Sequence, residues 1–131
     1  MMKLLRELTF FGAIGVVGFL VDTAVLYSLK STLGPFAARA VSFLAAATTT
    51  WYLNRRITFS ENASNLKQHK ELFAYLGLML VGGAVNFACY TWLILSYEAA
   101  AKHLFIAVAA GSLAGMAFNF FSSRILLFRR Q

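Results

Sequence analysis

The sequence has few charges and few structure-breaking residues. Charged residues make up 13% of its 131 positions, well below the roughly 25% found in soluble domains. One proline and nine glycines exclude a low-complexity or collagen-like chain. The single cysteine, Cys89, excludes an intrachain disulfide. Because hydrophobic residues account for 60% of the chain, the composition predicts a membrane protein.

Four apolar segments dominate the sequence. They cover about residues 8–29, 36–59, 72–97 and 104–128, and only residues 60–71 between them form a polar loop. Each segment exceeds the ~20 residues that a helix needs to cross about 30 Å of hydrocarbon. The sequence therefore predicts one all-α integral membrane domain over residues 1–131, with four transmembrane helices.

The basic residues predict an orientation. Nine of the twelve lysines and arginines fall on the side that holds both termini and the 60–71 loop. These are Lys3, Arg6, Arg55, Arg56, Lys67, Lys70, Arg124, Arg129 and Arg130. The opposite side holds Lys30, Arg39 and Lys102. The positive-inside rule places both termini in the cytoplasm, and an anionic leaflet accounts for the net charge of +7 without nucleic acid.

The two halves of the chain resemble each other. The first and third segments align at an offset of 64, and the second and fourth at an offset of 69. The matched positions include Glu7 with Glu71, Gly18 with Gly82, Asp22 with Asn86, Arg55 with Arg124, and Phe59 with Phe128. Each repeat is a hairpin of two helices, so the pattern predicts two parallel repeats related by an axis along the membrane normal.

Asp22 is an acid inside the first apolar segment. A carboxylate there costs roughly 2.5–3.5 kcal/mol to insert, so it must face protein or water and find a partner. Arg39, at a compatible depth, offers a structural ion pair that fixes the hairpin. A second interpretation makes Asp22 and Arg39 part of a polar transport path that is also lined by Asn86 and Asn119.

A second polar group lies at the ends of the even-numbered helices. Asn54, Arg55 and Arg56 follow the second segment, and Arg124 ends the fourth. Arginine binds phosphate with a planar fork of donors, so these residues predict a phosphate clamp for a lipid. The alternative is that the arginines only anchor the helices at the membrane surface.

The spacing of the glycines indicates close helix packing. Gly12, Gly15 and Gly18 lie three residues apart, and Gly111 and Gly115 form a GxxxG step. Such steps let helices approach closely within a chain or between chains. Since four helices make a thin bundle, we expect a homo-oligomer, with a dimer favoured.

Catalytic patterns are missing from the sequence. His69 and His103 fall on opposite sides of the predicted membrane, and Cys89 has no base nearby. The sequence has no cluster with metal-ligand spacing and no glycine-rich phosphate loop. We therefore expect no enzymatic activity, no metal and no cofactor.

Three motifs resemble the GtrA-like family of small four-helix membrane proteins. The first span carries an aromatic residue at Phe11, an isoleucine–glycine pair at Ile14-Gly15 and an acid at Asp22. "NRRITF" at 54–59 resembles that family's Asn-Arg-x-aromatic-Thr-Phe signature, although Ile57 stands where an aromatic is common. "NFFSSRILLF" at 119–128 resembles the ending of its fourth span.

The resemblance implies a role in making cell-surface polysaccharide. It implies movement of a polyprenyl-phosphate-linked monosaccharide across the cytoplasmic membrane to a separate membrane glycosyltransferase. Carried over to this chain, Asn54, Arg55 and Arg124 would contact the lipid phosphate. Asp22 and Asn86 would line the path of the sugar.

Two other functions stay open at this point. One is a scaffold that recruits a polyprenyl-phosphate glycosyltransferase without transport, and such a scaffold should tolerate a neutral residue at Asp22. The other is a small-solute exporter. The outward position of Asp22 and the paired basic helix ends suit an anionic lipid better than a cationic solute.

Overall fold

The computed structural model describes residues 1–62 and 64–128, which contain helices and no strand. Four α-helices follow one another as α1 (Met2–Leu53), α2 (Gln68–Ser96), α3 (Glu98–Lys102) and α4 (Leu104–Ser122). A first π-helix (Asn54–Thr58) continues α1, and a second π-helix (Ser123–Leu127) continues α4. The predicted basic anchors Arg129 and Arg130 lie outside the described residues.

Helix α1 is a hairpin that turns at Gly34. This glycine has φ 81° and ψ 167°, a backbone conformation that L side chains rarely adopt. Residues 2–33 form a first arm and residues 35–53 a second arm. Gly18 of the first arm packs against Thr50 of the second, and Asp22 bonds to Arg39, so the arms run antiparallel. Gly34 thus makes the turn where the sequence predicts a short connection between the first and second apolar segments.

Helices α2 and α4 form the second hairpin, which α3 connects. A side chain on Gly111 would place its Cβ 2.7 Å from the backbone oxygen of Asn86. The same atom on Gly115 would lie 3.0 Å from the backbone oxygen of Gly82. The GxxxG step therefore brings α4 onto α2 within this chain.

The repeat predicted from the sequence recurs in the structure. The two π-helices occupy residues 54–58 and 123–127, which are equivalent at the offset of 69. They close with matching bonds, from Phe59 N–H to the Asn54 oxygen at 2.8 Å and from Phe128 N–H to the Ser123 oxygen at 2.9 Å. Gly82 packs against Asn119 as Gly18 packs against Thr50. The two hairpins are thus built alike.

An aromatic core joins the hairpins beside the π-helices. Its buried members are Phe11, Trp51, Phe59, Tyr75, Phe120, Leu127 and Phe128. The equivalent residues Phe59 and Phe128 stack on each other, with ring centroids 4.8 Å apart and planes 10° apart. A pair of this kind adds about 0.5–1.5 kcal/mol to the burial of its rings.

Three helical stretches are long and apolar enough, by length and composition, to cross a membrane. They are Met2–Gly34, Gln68–Ser96 and Ile106–Leu127. The predicted span at 36–59 is not among them, because Arg39 and the threonines at 48–50 reduce its hydropathy. Large apolar side chains cover the outside of α2, with Phe73 70%, Phe87 68% and Leu95 82% exposed. Such a surface suits contact with lipid.

The packing of the second hairpin predicts opposite outcomes for two glycine substitutions. Gly111→Ala should destabilise the protein by about 1–3 kcal/mol, because its Cβ would press on the α2 backbone. Gly77→Ala should leave stability unchanged or slightly higher, since nothing lies within 4 Å of its Cβ position. Thermal unfolding of both variants in the same detergent tests this, and equal midpoints would contradict the packing.

Candidate functional site

A cavity of about 390 Å³ lies between the two hairpins. Such a volume falls in the lower part of the range for small-molecule sites. Its polar lining consists of Asp22, Thr50, Asn54, Tyr75, Asn86, Ser112 and Asn119. Phenylalanine, methionine, alanine and glycine form the remaining wall. The structure therefore gathers Asp22, Asn86 and Asn119, three of the four predicted path residues, around one space.

Arg39, the fourth predicted path residue, binds Asp22. Its Nη1 donates to both carboxylate oxygens of Asp22, at 2.8 and 2.7 Å. The ion pair predicted as a link within the first hairpin is present. It compensates the carboxylate charge beside the cavity, where the Asp22 side chain is 19% exposed.

One polar atom of the cavity wall, on the second hairpin, is left without a hydrogen-bond partner. The Oδ1 of Asn119 is buried and accepts no hydrogen bond from any described residue. Its counterpart in the first hairpin, Thr50, is instead bonded to the Ala47 oxygen at 3.0 Å and to the Tyr75 hydroxyl at 3.2 Å. An amide offers both donors and an acceptor, which suits a ligand that carries hydroxyl groups.

Asn54 belongs to the cavity wall and not to a cluster of arginines. Its Nδ2 donates to the Tyr75 hydroxyl at 3.1 Å, and its Oδ1 accepts from the Thr58 hydroxyl at 2.7 Å. Asn54 and Tyr75 are each 1% exposed. Tyr75 is not among the residues predicted from the sequence. Its hydroxyl stands opposite Phe11 in the repeat, between the apolar residues 72–74 and 76–81, and this is the signal that could have found it.

Two buried glutamates bind the predicted phosphate-binding arginines. Glu71, which is 0% exposed, accepts from Arg55 Nε at 3.1 Å. Glu7, which is 1% exposed, accepts from Arg124 Nε at 2.6 Å. Each glutamate lies on the opposite hairpin from its arginine, so the two ion pairs cross between the repeats. The sequence indicated the four residues as repeat matches but not as partners.

A small basic pocket opens beside the first of these pairs. It is lined by Arg55, Arg56, Phe59 and Ser60, and its volume is about 390 Å³. The guanidinium carbon of Arg56 lies 5.2 Å from the centre of the Tyr52 ring, within range of a cation–π contact. Arg124 does not line this pocket. The structure therefore brings Arg55 and Arg56 together and places Arg124 in a separate pair.

Glu61, next to the pocket residue Ser60, connects the turn to the start of α1. Its carboxylate accepts from Lys3 Nζ and from Arg6 Nη2, both at 3.2 Å. The hydrogen bonds from Lys3 and then Arg6, followed by their positive charges, hold the pKa of Glu61 below its ordinary value. The ionised form of Glu61 therefore supports this connection.

Protonation of Glu61 should weaken the connection at low pH. Because the folded pKa is lowered, its contribution is present above the unfolded pKa of about 4.3 and is lost as the pH falls through the folded value. Thermal midpoints of the wild type should therefore fall more steeply below that pH than those of Glu61→Gln. Parallel curves would show that the connection adds no measurable stability.

Within residues 1–62 and 64–128, no three His, Cys, Asp or Glu side chains lie close enough to hold a metal ion.

Comparison with known proteins gives one match over nearly the whole chain. The family model described as "GtrA/DPMS, transmembrane domain" matches residues 10–130. The match confirms the resemblance found in the three sequence motifs. No curated protein matches the chain.

Proposed function

The chain belongs to the GtrA/DPMS transmembrane-domain family, and from this premise and the geometry of its site we propose that it moves a polyprenyl-phosphate-linked monosaccharide across the cytoplasmic membrane. It would do so without chemical change of the lipid and without a cofactor. The observation that carries the proposal is a polar cavity inside an apolar helix bundle, together with a basic pocket.

The cavity supplies a place for the sugar. Amides and hydroxyls line it, and the carboxylate of Asp22 is compensated by Arg39. Unpaired amide groups in apolar surroundings cost free energy, which the hydroxyls of a sugar ring would recover. Asn86 and Asn119, with Asp22 and Arg39 beside them, are the residues we assign to this path.

The basic pocket supplies a place for the phosphate. Arg55 and Arg56 carry two positive charges, and Glu71 compensates one of them. The remaining charge matches the single negative charge of a phosphodiester. Ser60 adds a hydroxyl beside the two arginines. The exposed apolar side chains of the helices let the prenyl tail stay in lipid.

The topology that fits this function has four membrane crossings. The second arm of α1 would make one of them with its polar side turned to the cavity, where Thr50 lies. Lys3, Arg6, Arg55 and Arg56 would then lie with both termini on the cytoplasmic side. We further propose a homodimer that delivers its substrate to a membrane glycosyltransferase.

Transport in proteoliposomes tests the proposal directly. Movement of a short-chain polyprenyl-phosphate glucose between leaflets should fall at least about tenfold in Arg55→Ala, which removes the phosphate donors. Asp22→Asn should cause a similar loss, because it leaves the Arg39 charge uncompensated beside the sugar path. The measurement is the rate at which labelled lipid becomes accessible to an external reagent.

Two matched variants control for loss of charge alone. Arg6→Ala removes an exposed guanidinium, and Glu98→Gln neutralises an exposed carboxylate that pairs with Lys102. Both should transport like the wild type. If the wild type binds the lipid or a glycosyltransferase but moves no lipid, the chain is a recruiting scaffold instead.

A further inference from the structure

The crossed pairs hold each arginine through one particular nitrogen. In both pairs the carboxylate accepts from Nε, the nitrogen nearest the chain. An arginine has five N–H donors, and a contact through Nε leaves the four on the terminal nitrogens. The contact of Arg55 with Glu71 is made by Nε, at 3.1 Å, and the Arg55 side chain is 26% exposed. The buried glutamate thus binds the guanidinium at Nε, while the N–H groups of the two terminal nitrogens take no part in that bond.

A further contact fixes Glu71 itself. Its Oε1 also accepts from the Trp51 indole nitrogen at 2.8 Å, and the carboxylate is fully buried. Trp51 precedes Arg55 by one helical turn, so the ring, the carboxylate and the guanidinium form one connected group. Both contacts use Oε1, while Oε2 of Glu71 is buried and has no hydrogen-bond partner among the described residues. Moving the guanidinium away would leave the carboxylate buried without its counter-ion, which is costly.

The two crossed pairs differ in what surrounds them. Arg56 follows Arg55, whereas Ile125 follows Arg124 at the equivalent position. Arg55, Arg56 and Glu71 together therefore carry a net charge of +1. The charges of Arg124 and Glu7 cancel. The first pair also borders the basic pocket. The same backbone thus carries one pair that can take an anion and one that holds the hairpins together.

We infer that Glu71 is the positioning residue of the anion site: it fixes Arg55 through Nε so that the terminal N–H groups face a phosphate. This inference rests on the proposed function, because it assumes that the pocket of Arg55 and Arg56 receives the lipid phosphate. It assigns the Glu7–Arg124 pair to hairpin packing only. Glu71 does not contact the lipid in this assignment.

Farnesyl methyl phosphate, a phosphodiester with one negative charge, is a suitable probe, and Trp51 is a built-in reporter. The only other tryptophan, Trp92, is 58% exposed and can be replaced by phenylalanine. Binding is followed by Trp51 emission in the detergent-solubilised full chain and checked by calorimetry. Glu71→Asp keeps the charge but shortens the side chain, so it should weaken binding about tenfold. If Glu71 acted only through its charge, Glu71→Asp would leave the affinity unchanged.

The internal repeat offers a matched control. Glu7→Asp makes the same change in the equivalent pair and should alter the Kd less than about twofold, with a similar loss of thermal stability. Equal weakening in Glu7→Asp and Glu71→Asp would overturn the inference, since both pairs would then act by holding the hairpins together. Wild-type affinity in Glu71→Asp would overturn it as well.

Two arginine variants distinguish a failure of the positioning role from a failure of the proposed phosphate site. If Arg55→Ala binds farnesyl methyl phosphate as the wild type does, the phosphate site itself is wrong. If Arg55→Ala loses binding while Glu71→Asp does not, only the positioning role fails. Should Glu71→Asp not fold, Arg55→Lys keeps the charge but lacks the planar fork, and the same tenfold loss is expected. Wild-type affinity in Arg55→Lys would also contradict the inference.

Discussion

Two glutamates buried in an apolar helix bundle constrain most of this structure. A carboxylate without water must have a cation beside it, and breaking a buried pair costs on the order of 3–5 kcal/mol. Glu7 and Glu71 each find that cation on the opposite hairpin. The hairpins therefore cannot separate or slide without exposing two unpaired charges to an apolar environment. Burial of aromatic rings alone would fix their relative position less strictly.

The π-helices that carry the arginines belong to the same constraint. Each widens the last turn before Phe59 or Phe128, and these two rings then stack on each other. Single π turns inside α-helices occur frequently at functional sites. Here the π turn lets one short segment make two contacts. Its arginine pairs with a glutamate, and the phenylalanine that follows it stacks on the equivalent phenylalanine of the other repeat. The phenylalanine after each π-helix holds the basic end of the helix against the core.

The duplicated fold carries an unequal distribution of polar groups. Asp22 and Thr50 in the first hairpin are bonded within the protein, whereas Asn119, the counterpart of Thr50, has a buried oxygen that no described residue bonds. Around the crossed pairs, the first hairpin has the extra arginine and the pocket. A symmetric backbone with asymmetric polar groups can hold one head group in one orientation. The proposed function uses that division by assigning the phosphate to the basic pocket and the sugar to the cavity.

The sequence by itself determined the helical class, the repeat and the family. Long apolar runs leave only helices as spanning structures, because backbone groups in lipid must bond within their own segment. Matched glycines and charges at fixed offsets revealed the repeat, and the compatible depths of Asp22 and Arg39 gave their ion pair as one of two interpretations. These features depend on neighbours along the chain or on position along one helix, so no tertiary knowledge is needed to read them.

Only the tertiary structure decided which charges meet across the hairpins. The partners Glu7 and Arg124 are 117 positions apart, and Glu71 is reached by Trp51 as well as by Arg55. Composition cannot distinguish an arginine at the membrane surface from one held by a buried carboxylate. Likewise, Asn54 follows from the sequence as a neighbour of arginines, but the π turn directs it to Tyr75 and the cavity. Such pairings depend on how helices rotate against each other, and that rotation is set by packing of the whole bundle.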